Sequence, residues 1–156
     1  MKRFLLWLWK VLPMTPRMRF VAMWLMNQKF LLGVAGVVVD ADGRVLLLDH
    51  SYRPTEPWGL PSGWVKGQGE QPQEALVREI REECGLEVAV LSVLHVRIDP
   101  VVPRIDLTML CRPVGRTDGL APRDAEIAAA GFFKPDEFPE GLQQVHRDLI
   151  RLAGVV

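Results

Sequence analysis

From residue 31 onwards, the pattern of hydrophobic and polar positions is dominated by short apolar runs bounded by turn residues. The runs at 31–39 and 44–48 are rich in valine and leucine, and the Ala-Asp-Gly between them predicts a β-hairpin. Residues 86–96, 104–112 and 127–133 have the same strand-like character. The sequence therefore predicts a domain with several strands.

Apolar residues recur at helical spacing in two stretches, 73–84 and 139–153, and Gly85 stands where the first helix should end. The residues that carry these two patterns are Ala75, Leu76, Ile80 and Cys84, and Leu142, Val145, Leu149 and Leu152. Strands and helices are mixed without a regular alternation. This order favours an α+β fold, with a mixed β-sheet between helices in an α/β/α sandwich.

Residues 1–30 form a separate apolar segment with runs at 4–9 and 20–26, interrupted by prolines and basic residues. Neither run approaches the roughly 18 residues of a membrane-spanning helix, and no signal-peptide cleavage site follows. We predict an N-terminal extension of two short helices, broken at 14–16, before a domain over 31–156. The extension is expected to pack on the domain or form a homodimer contact; contact with a membrane surface is the alternative.

Charge and cysteine content narrow the class of partner. The 156 residues contain 19 Lys plus Arg and 19 Asp plus Glu, so the chain lacks the basic surplus typical of proteins that bind a nucleic-acid polymer. A single nucleotide is not excluded. Cys84 and Cys111 lie in apolar stretches outside any Cys/His cluster. We expect reduced thiols in a cytoplasmic protein, without structural zinc.

Three carboxylates, Glu79, Glu82 and Glu83, share one face of the predicted helix over 73–84, because their offsets are three and four residues. Like charges this close repel one another, and hard oxygen ligands are what Mg²⁺ or Mn²⁺ accepts. A solvated charged face is the alternative. The glycine-rich loop at 63–69 favours a metal site, since glycines let the backbone approach a metal ion or phosphate.

Residues 63–70 (GWVKGQGE) and 78–86 (REIREECGL) resemble the Nudix box of the MutT-like hydrolases. That box reads Gly, five residues, Glu, seven residues, then Arg-Glu-aliphatic-x-Glu-Glu-x-Gly-aliphatic. Every specified position from Glu70 onwards matches, and the resemblance extends over about residues 31–154. One departure is that six residues separate Gly63 from Glu70. Either a one-residue bulge keeps the Gly63 carbonyl as metal ligand, or the Trp64 carbonyl replaces it.

The resemblance implies a metal-dependent hydrolase of a nucleoside diphosphate linked to another moiety, such as a nucleotide sugar, an ADP-ribose-like molecule or a nucleoside triphosphate. The implied metal ligands are Gly63, Glu79, Glu82 and Glu83. Arg78 is implied to orient Glu79 through a salt bridge, and Glu70 to support the site from behind. The implied cation is Mg²⁺, with Mn²⁺ as a substitute.

The general base is implied to come from a late loop, and Glu126 is the candidate because its spacing to the Phe-Pro at 138–139 resembles that of MutT-like proteins. Glu79 is the competing base. A nucleotide-sensing module without catalysis and a membrane-associated Nudix enzyme are the alternative functions.

The residues that bind the substrate are not predicted. Three aromatic residues are candidates for stacking on a base or for the core, three polar residues for phosphate or sugar contacts or for surface charge, and three histidines receive no role. These residues are Trp58, Trp64 and Phe132; Arg53, Arg104 and Asp106; and His50, His95 and His146.

Overall fold

The computed structural model describes residues 15–67, 69–115, 117 and 119–155, and the chain divides into two compact units, Met1–Phe30 and Leu31–Val156. In the first unit, helix α1 (Pro16–Met26) starts after Thr15, whose hydroxyl accepts a hydrogen bond from the Met18 N–H at 3.3 Å. The second of the two predicted N-terminal helices is therefore present. The first, over 4–9, lies outside the described residues.

None of the helices in the described part of the chain combines the length and apolar character needed to cross a bilayer. What α1 packs against, whether the domain, a second copy or a membrane surface, stays a prediction.

The second unit contains two sheets and two helices. Its elements are β1 (Leu31–Val38), β2 (Val45–His50), β3 (Trp58–Gly59), β4 (Ser62–Trp64), α2 (Pro72–Cys84), β5 (Val88–Ile98), β6 (Arg104–Pro113), β7 (Ile127–Phe133), a 3₁₀ turn (Pro135–Glu137) and α3 (Gln144–Leu152). The first sheet has the order β4-β1-β6-β5, and the second has the order β3-β2-β7. Among the strands in the described part of the chain, only the β1–β6 pair is parallel, so the first sheet is mixed.

The predicted hairpin of β1 and β2 is wrong, because the two strands belong to different sheets. The turn itself forms: Val39 bridges Val45, and the Asp40 carboxylate accepts from the Arg44 N–H at 2.8 Å. Both strands are buried on both faces. Along most of their length, β1 pairs with β6 and β2 pairs with β7, so the two strands do not pair with each other beyond the turn.

Alternate residues of β1 and β2 contribute to two hydrophobic cores, as the two-residue period of a strand requires. One core joins Val34, Val38, Leu46 and Leu48 to Leu76 and Ile80 of α2. The other joins Val37, Val45 and Leu47 to Ile150 of α3. The sheets thus lie between two helices, which confirms the predicted α/β/α sandwich.

Helix α2 has strong boundary signals at both ends. A capping box of Gln71 and Glu74 and Pro72 in the first turn start it, and Gly85, with φ of +75°, ends it. The predicted helix over 73–84 is confirmed. Helix α3 is shorter than the predicted 139–153, because the left-handed Gly141 (φ +81°) lies in the part predicted as helical.

Candidate active site

The Leu31–Val156 unit contains a cleft of about 770 Å³ between β1, β4, α2, β5, β6, α3 and the loops before β3 and β7. The sequence-predicted residues that line it are Gly63, Glu79, Glu82, Glu83 and Glu126. Glu70 and Arg78 lie behind this wall. The fold thus brings the box carboxylates and the late-loop glutamate into one cavity.

Arg78 fastens the loop before α2 to the helix. Its Nε donates to Glu70 at 2.8 Å, its Nη1 to Glu79 at 2.8 Å and Glu82 at 3.2 Å, and its Nη2 to the Trp64 carbonyl at 3.1 Å. The Glu70 and Glu79 carboxylates hold the pKa of Arg78 above its usual value. In turn, the hydrogen bond from Arg78 lowers the pKa of Glu70. Arg78 therefore links Glu79 to Glu70 and to the Trp64 carbonyl, and its role in orienting a metal ligand stays a prediction.

Glu83 is the inward-facing carboxylate. Its Oε2 is buried and has no hydrogen-bonding partner among the residues that the structure describes. Burial, together with the charge of nearby Glu79, raises the pKa of Glu83 to about 8, although a backbone hydrogen bond from Ser62 opposes the shift. An unpartnered carboxylate oxygen next to a second carboxylate fits a bound cation, which would satisfy the oxygen and cancel the repulsion.

The three helix glutamates are not preassembled into one set of ligands. Among the residues that the structure describes, no group of three or more His, Cys, Asp or Glu side chains is placed to hold a metal ion. Glu82 is turned to Arg78, and its side chain is 49% exposed. Glu79 also contacts Arg78, but its charge acts directly on the buried Glu83 carboxylate, so Glu79 and Glu83 form the pair that fits a cation best.

Strand β4 pairs with β1 without a register shift over Ser62–Trp64, so the extra residue is accommodated in the loop between β4 and α2. Which carbonyl is the metal ligand, that of Gly63 or that of Trp64, stays a prediction. The Trp64 carbonyl already accepts from Arg78, whereas a Cβ added to Gly63 would overlap the Glu79 carboxyl group. Both residues contact Glu79, since the Trp64 N–H also donates to its Oε1 at 3.3 Å, but of the two carbonyls it is that of Trp64 that is already bound by Arg78.

Glu126 lies on an exposed loop that is held in place by its backbone. The Glu126 N–H donates to the Asp124 carboxylate at 2.8 Å, and the Ser51 N–H donates to the Glu126 carbonyl at 2.8 Å. Asp124 also lines the cleft, and its charge contributes to the raised pKa of Glu83. Two carboxylates of this loop are thus available near the helix carboxylates.

The three aromatic candidates separate into core and cleft. Trp58 packs edge-on against Phe133, with ring centroids 5.2 Å apart, and Phe132 packs on the α2 core. Trp64 is 49% exposed and lines the cleft. Of the three, Trp64 alone is placed to stack on a base.

The polar candidates Arg53, Arg104 and Asp106 all line the cleft, and the Arg104 Nε donates to Asp106 at 3.0 Å.

Sequence reasoning missed a cluster around His146. Helix α3 places His146 near Arg53 and His50. The positive charge of Arg53 acts on both histidines, and a charge on His146 would act on His50. No local spacing relates these residues. The residue in the sequence that reflects this contact is Gly59, because a Cβ there would lie 2.6 Å from the His146 ring and 2.8 Å from the Arg53 Nη1.

The family is decided by comparison with known proteins. A family model described as the NUDIX domain matches residues 29–153. The chain belongs to the NUDIX family. A MutT-like protein of Streptomyces ambofaciens is 34% identical over 113 residues, which cover 72% of this chain and 70% of that protein. The crystal structure of a MutT NUDIX hydrolase from Burkholderia pseudomallei is 26% identical with a TM-score of 0.66, covering 80% of this chain and 98% of that one.

An ADP-ribose pyrophosphatase of Methanocaldococcus jannaschii is 39% identical over 64 residues. These cover 40% of this chain and only 37% of that protein. Together the comparisons confirm the predicted MutT-like family, the fold, and the enzyme class of a Nudix pyrophosphohydrolase. Members of this family generally use divalent metal ions.

Proposed function

We propose that this protein is a Mg²⁺-dependent hydrolase, with Mn²⁺ as a substitute, that cleaves the diphosphate of a nucleoside diphosphate linked to another moiety. The observation that carries the proposal is the buried Glu83 carboxylate oxygen, left without a partner beside Glu79 in the cleft. Nucleotide sugars, ADP-ribose-like molecules and nucleoside triphosphates are the candidate substrates. The pyrophosphatase from Methanocaldococcus jannaschii supports the ADP-ribose-like class.

The residues that would hold the cation are Glu79, Glu82, Glu83 and the Gly63 carbonyl. When bound, the cation would polarise the phosphate oxygens and lower the pKa of the attacking water. Glu79 and Glu83 would supply two carboxylates that line the cleft, and the hydrogen bond from Arg78 would keep Glu79 from turning into solvent. Glu70 holds Arg78 in the orientation that makes this possible.

The general base in this proposal is Glu126, which would take a proton from the attacking water at its carboxylate. Its loop is fixed to Ser51, so the backbone that carries the carboxylate has a defined position in the cleft wall. Glu79 is the competing base, but its carboxylate already accepts from Arg78 and from the Trp64 N–H at 3.3 Å.

The test is a panel of ADP-ribose, UDP-glucose, dinucleoside polyphosphates and nucleoside triphosphates, incubated with Mg²⁺ or with EDTA. We expect Mg²⁺-dependent release of a nucleoside monophosphate from one class. Binding without hydrolysis across the panel would instead indicate a nucleotide-sensing module, and release that persists in EDTA would contradict the metal requirement.

We also propose that the protein acts in the cytoplasm, as its two free, buried cysteines suggest, and that residues 1–30 mediate a homodimer. Light scattering on the chain with and without these residues tests the dimer, which truncation should dissociate. Vesicle co-sedimentation of the same two chains tests the membrane alternative. Loss of vesicle binding on truncation, with unchanged mass, would replace the dimer by membrane contact.

A further inference from the structure

Arg53 is a charged residue of the cleft that forms no ion pair with any other residue that the structure describes. It lies in the loop between β2 and β3, and its Nη2 donates to the Tyr52 hydroxyl at 3.3 Å. Its Nη1 is buried without any hydrogen-bonding partner, and no carboxylate of the described residues forms an ion pair with it. A buried donor of a charged group is costly to leave unpaired, so the position needs an acceptor from elsewhere.

His146 supplies a second donor at the same place. Its Nδ1 accepts from the Leu60 N–H at 3.2 Å, and burial together with the Arg53 charge lowers the pKa of His146 to about 4. The ring is therefore neutral at neutral pH and carries its proton on Nε2, which makes that nitrogen a donor. Gly59 makes the arrangement possible, because a Cβ there would collide with both His146 and Arg53.

The two donors belong to the same cleft as the carboxylates of α2. Arg53 and Glu83 both line this cleft, and each has one buried polar atom without a hydrogen-bonding partner among the described residues. A cation between Glu79 and Glu83 would use the charge of these carboxylates and leave that of Arg53 unmatched. A ligand that contacts both the cation and Arg53 must carry several anionic oxygens, as a diphosphate does.

We propose that Arg53 and His146 form an anion subsite beside the Glu79–Glu83 pair, and that this subsite binds a phosphate oxygen of the substrate. The inference rests on the proposed function for the identity of the anion, although not for the presence of the subsite. The competing interpretation is that Arg53 serves only as a counter-charge to Glu83.

The probe is methylenediphosphonate, a pyrophosphate analogue whose P–C–P bridge is not hydrolysed, titrated calorimetrically in excess Mg²⁺. The variants are Arg53→Met and, as a control of equal charge change, Arg112→Met, an exposed position outside the cleft. Losing a charge-assisted hydrogen bond should weaken binding by about tenfold or more in Arg53→Met. The control should bind like the wild type.

Two more variants keep the test decisive if Arg53→Met folds poorly. Arg53→Lys retains the charge and should show an intermediate affinity. His146→Asn retains an acceptor for Leu60 but removes the Nε2 donor, and should weaken the probe by several-fold. Thermal melts of every variant show whether it is folded.

Equal affinity of Arg53→Met and wild type, or no saturable binding by the wild type, would overturn the subsite. The Mn²⁺ affinity measured without the probe distinguishes the anion subsite from the counter-charge interpretation. The subsite predicts unchanged or tighter Mn²⁺ binding in Arg53→Met, because a nearby positive charge is gone. A parallel loss of Mn²⁺ and probe affinity would overturn it. If the wild type binds the probe through Arg53 but hydrolyses nothing, the proposed function fails and the subsite stands.

Discussion

Replacing Gly63 by alanine should damage the metal site more than the fold. A Cβ at this position would overlap the Cγ, Cδ and Oε1 atoms of Glu79. Because Arg78 and the Trp64 N–H hold that carboxyl group, it cannot give way without losing these hydrogen bonds. Gly67 is the control: it lies in the loop that follows β4, and a Cβ there would meet nothing within 4 Å.

The cost can be worked from the bonds that the new methyl group displaces. One charge-assisted bond at 2.8 Å and one longer bond at 3.3 Å are at stake, which together give about 1–3 kcal/mol of lost stability. For a domain of this size, that is a decrease in melting temperature of roughly 3–10 °C. Displacement of Glu79 from the cation site should weaken Mn²⁺ binding by about tenfold or more.

The assay is Mn²⁺ titration by electron paramagnetic resonance, with a thermal melt of each variant in EDTA. Gly63→Ala should have a lower melting temperature and a weaker Mn²⁺ affinity than the wild type, and Gly67→Ala should match the wild type in both. Wild-type Mn²⁺ affinity in a folded Gly63→Ala protein would refute the assignment of Glu79 as a ligand positioned against Gly63.

Three further predictions concern other parts of the site. Glu126→Gln should lower kcat by about 100-fold with little change in KM, measured on the active substrate against Glu137→Gln; an unchanged kcat would remove Glu126 from the mechanism. Arg78→Lys should destabilise the protein in EDTA by about 2–4 kcal/mol, with partial recovery on adding Mg²⁺ in a thermal melt; a wild-type melt would contradict the role of Arg78 as the fastener of the loop. Because the pKa of folded His146 is about 4 and that of an unfolded histidine is 6.5, its contribution to stability is complete above pH 6.5 and is lost as the pH falls to 4. That contribution is up to about 3 kcal/mol. Denaturant titrations should give a shallower pH dependence for His146→Asn over this interval, and identical slopes would show that His146 titrates normally.

The Nudix box was predictable from the sequence because its residues interact locally. Glu79, Glu82 and Glu83 lie on one helix at offsets of three and four residues, and Arg78 lies four residues before Glu82, so the spacing alone places these side chains on neighbouring positions of one face. The extra residue between Gly63 and Glu70 was also visible in the sequence, but the spacing did not show where the chain accommodates it. Because β4 retains its regular pairing with β1, this residue lies in the loop beyond Trp64.

The features that the sequence did not predict depend on pairing between distant parts of the chain. The turn at Asp40 suggested a hairpin, yet β1 and β2 each found a longer partner elsewhere. Likewise, His146 meets Arg53 only because α3 packs over the sheets, and no local pattern in the sequence encodes that contact.

The central claim is that the Glu83 carboxylate holds a catalytic divalent cation. The most direct measurement is hydrolysis of the active nucleotide by the wild type, Glu83→Gln and the control Glu87→Gln at saturating Mg²⁺, where Glu87 is exposed and bound to Arg81 outside the cleft. In Glu83→Gln, kcat should fall by at least about 100-fold, and Glu87→Gln should turn over like the wild type. Wild-type turnover in a folded Glu83→Gln protein would contradict the claim.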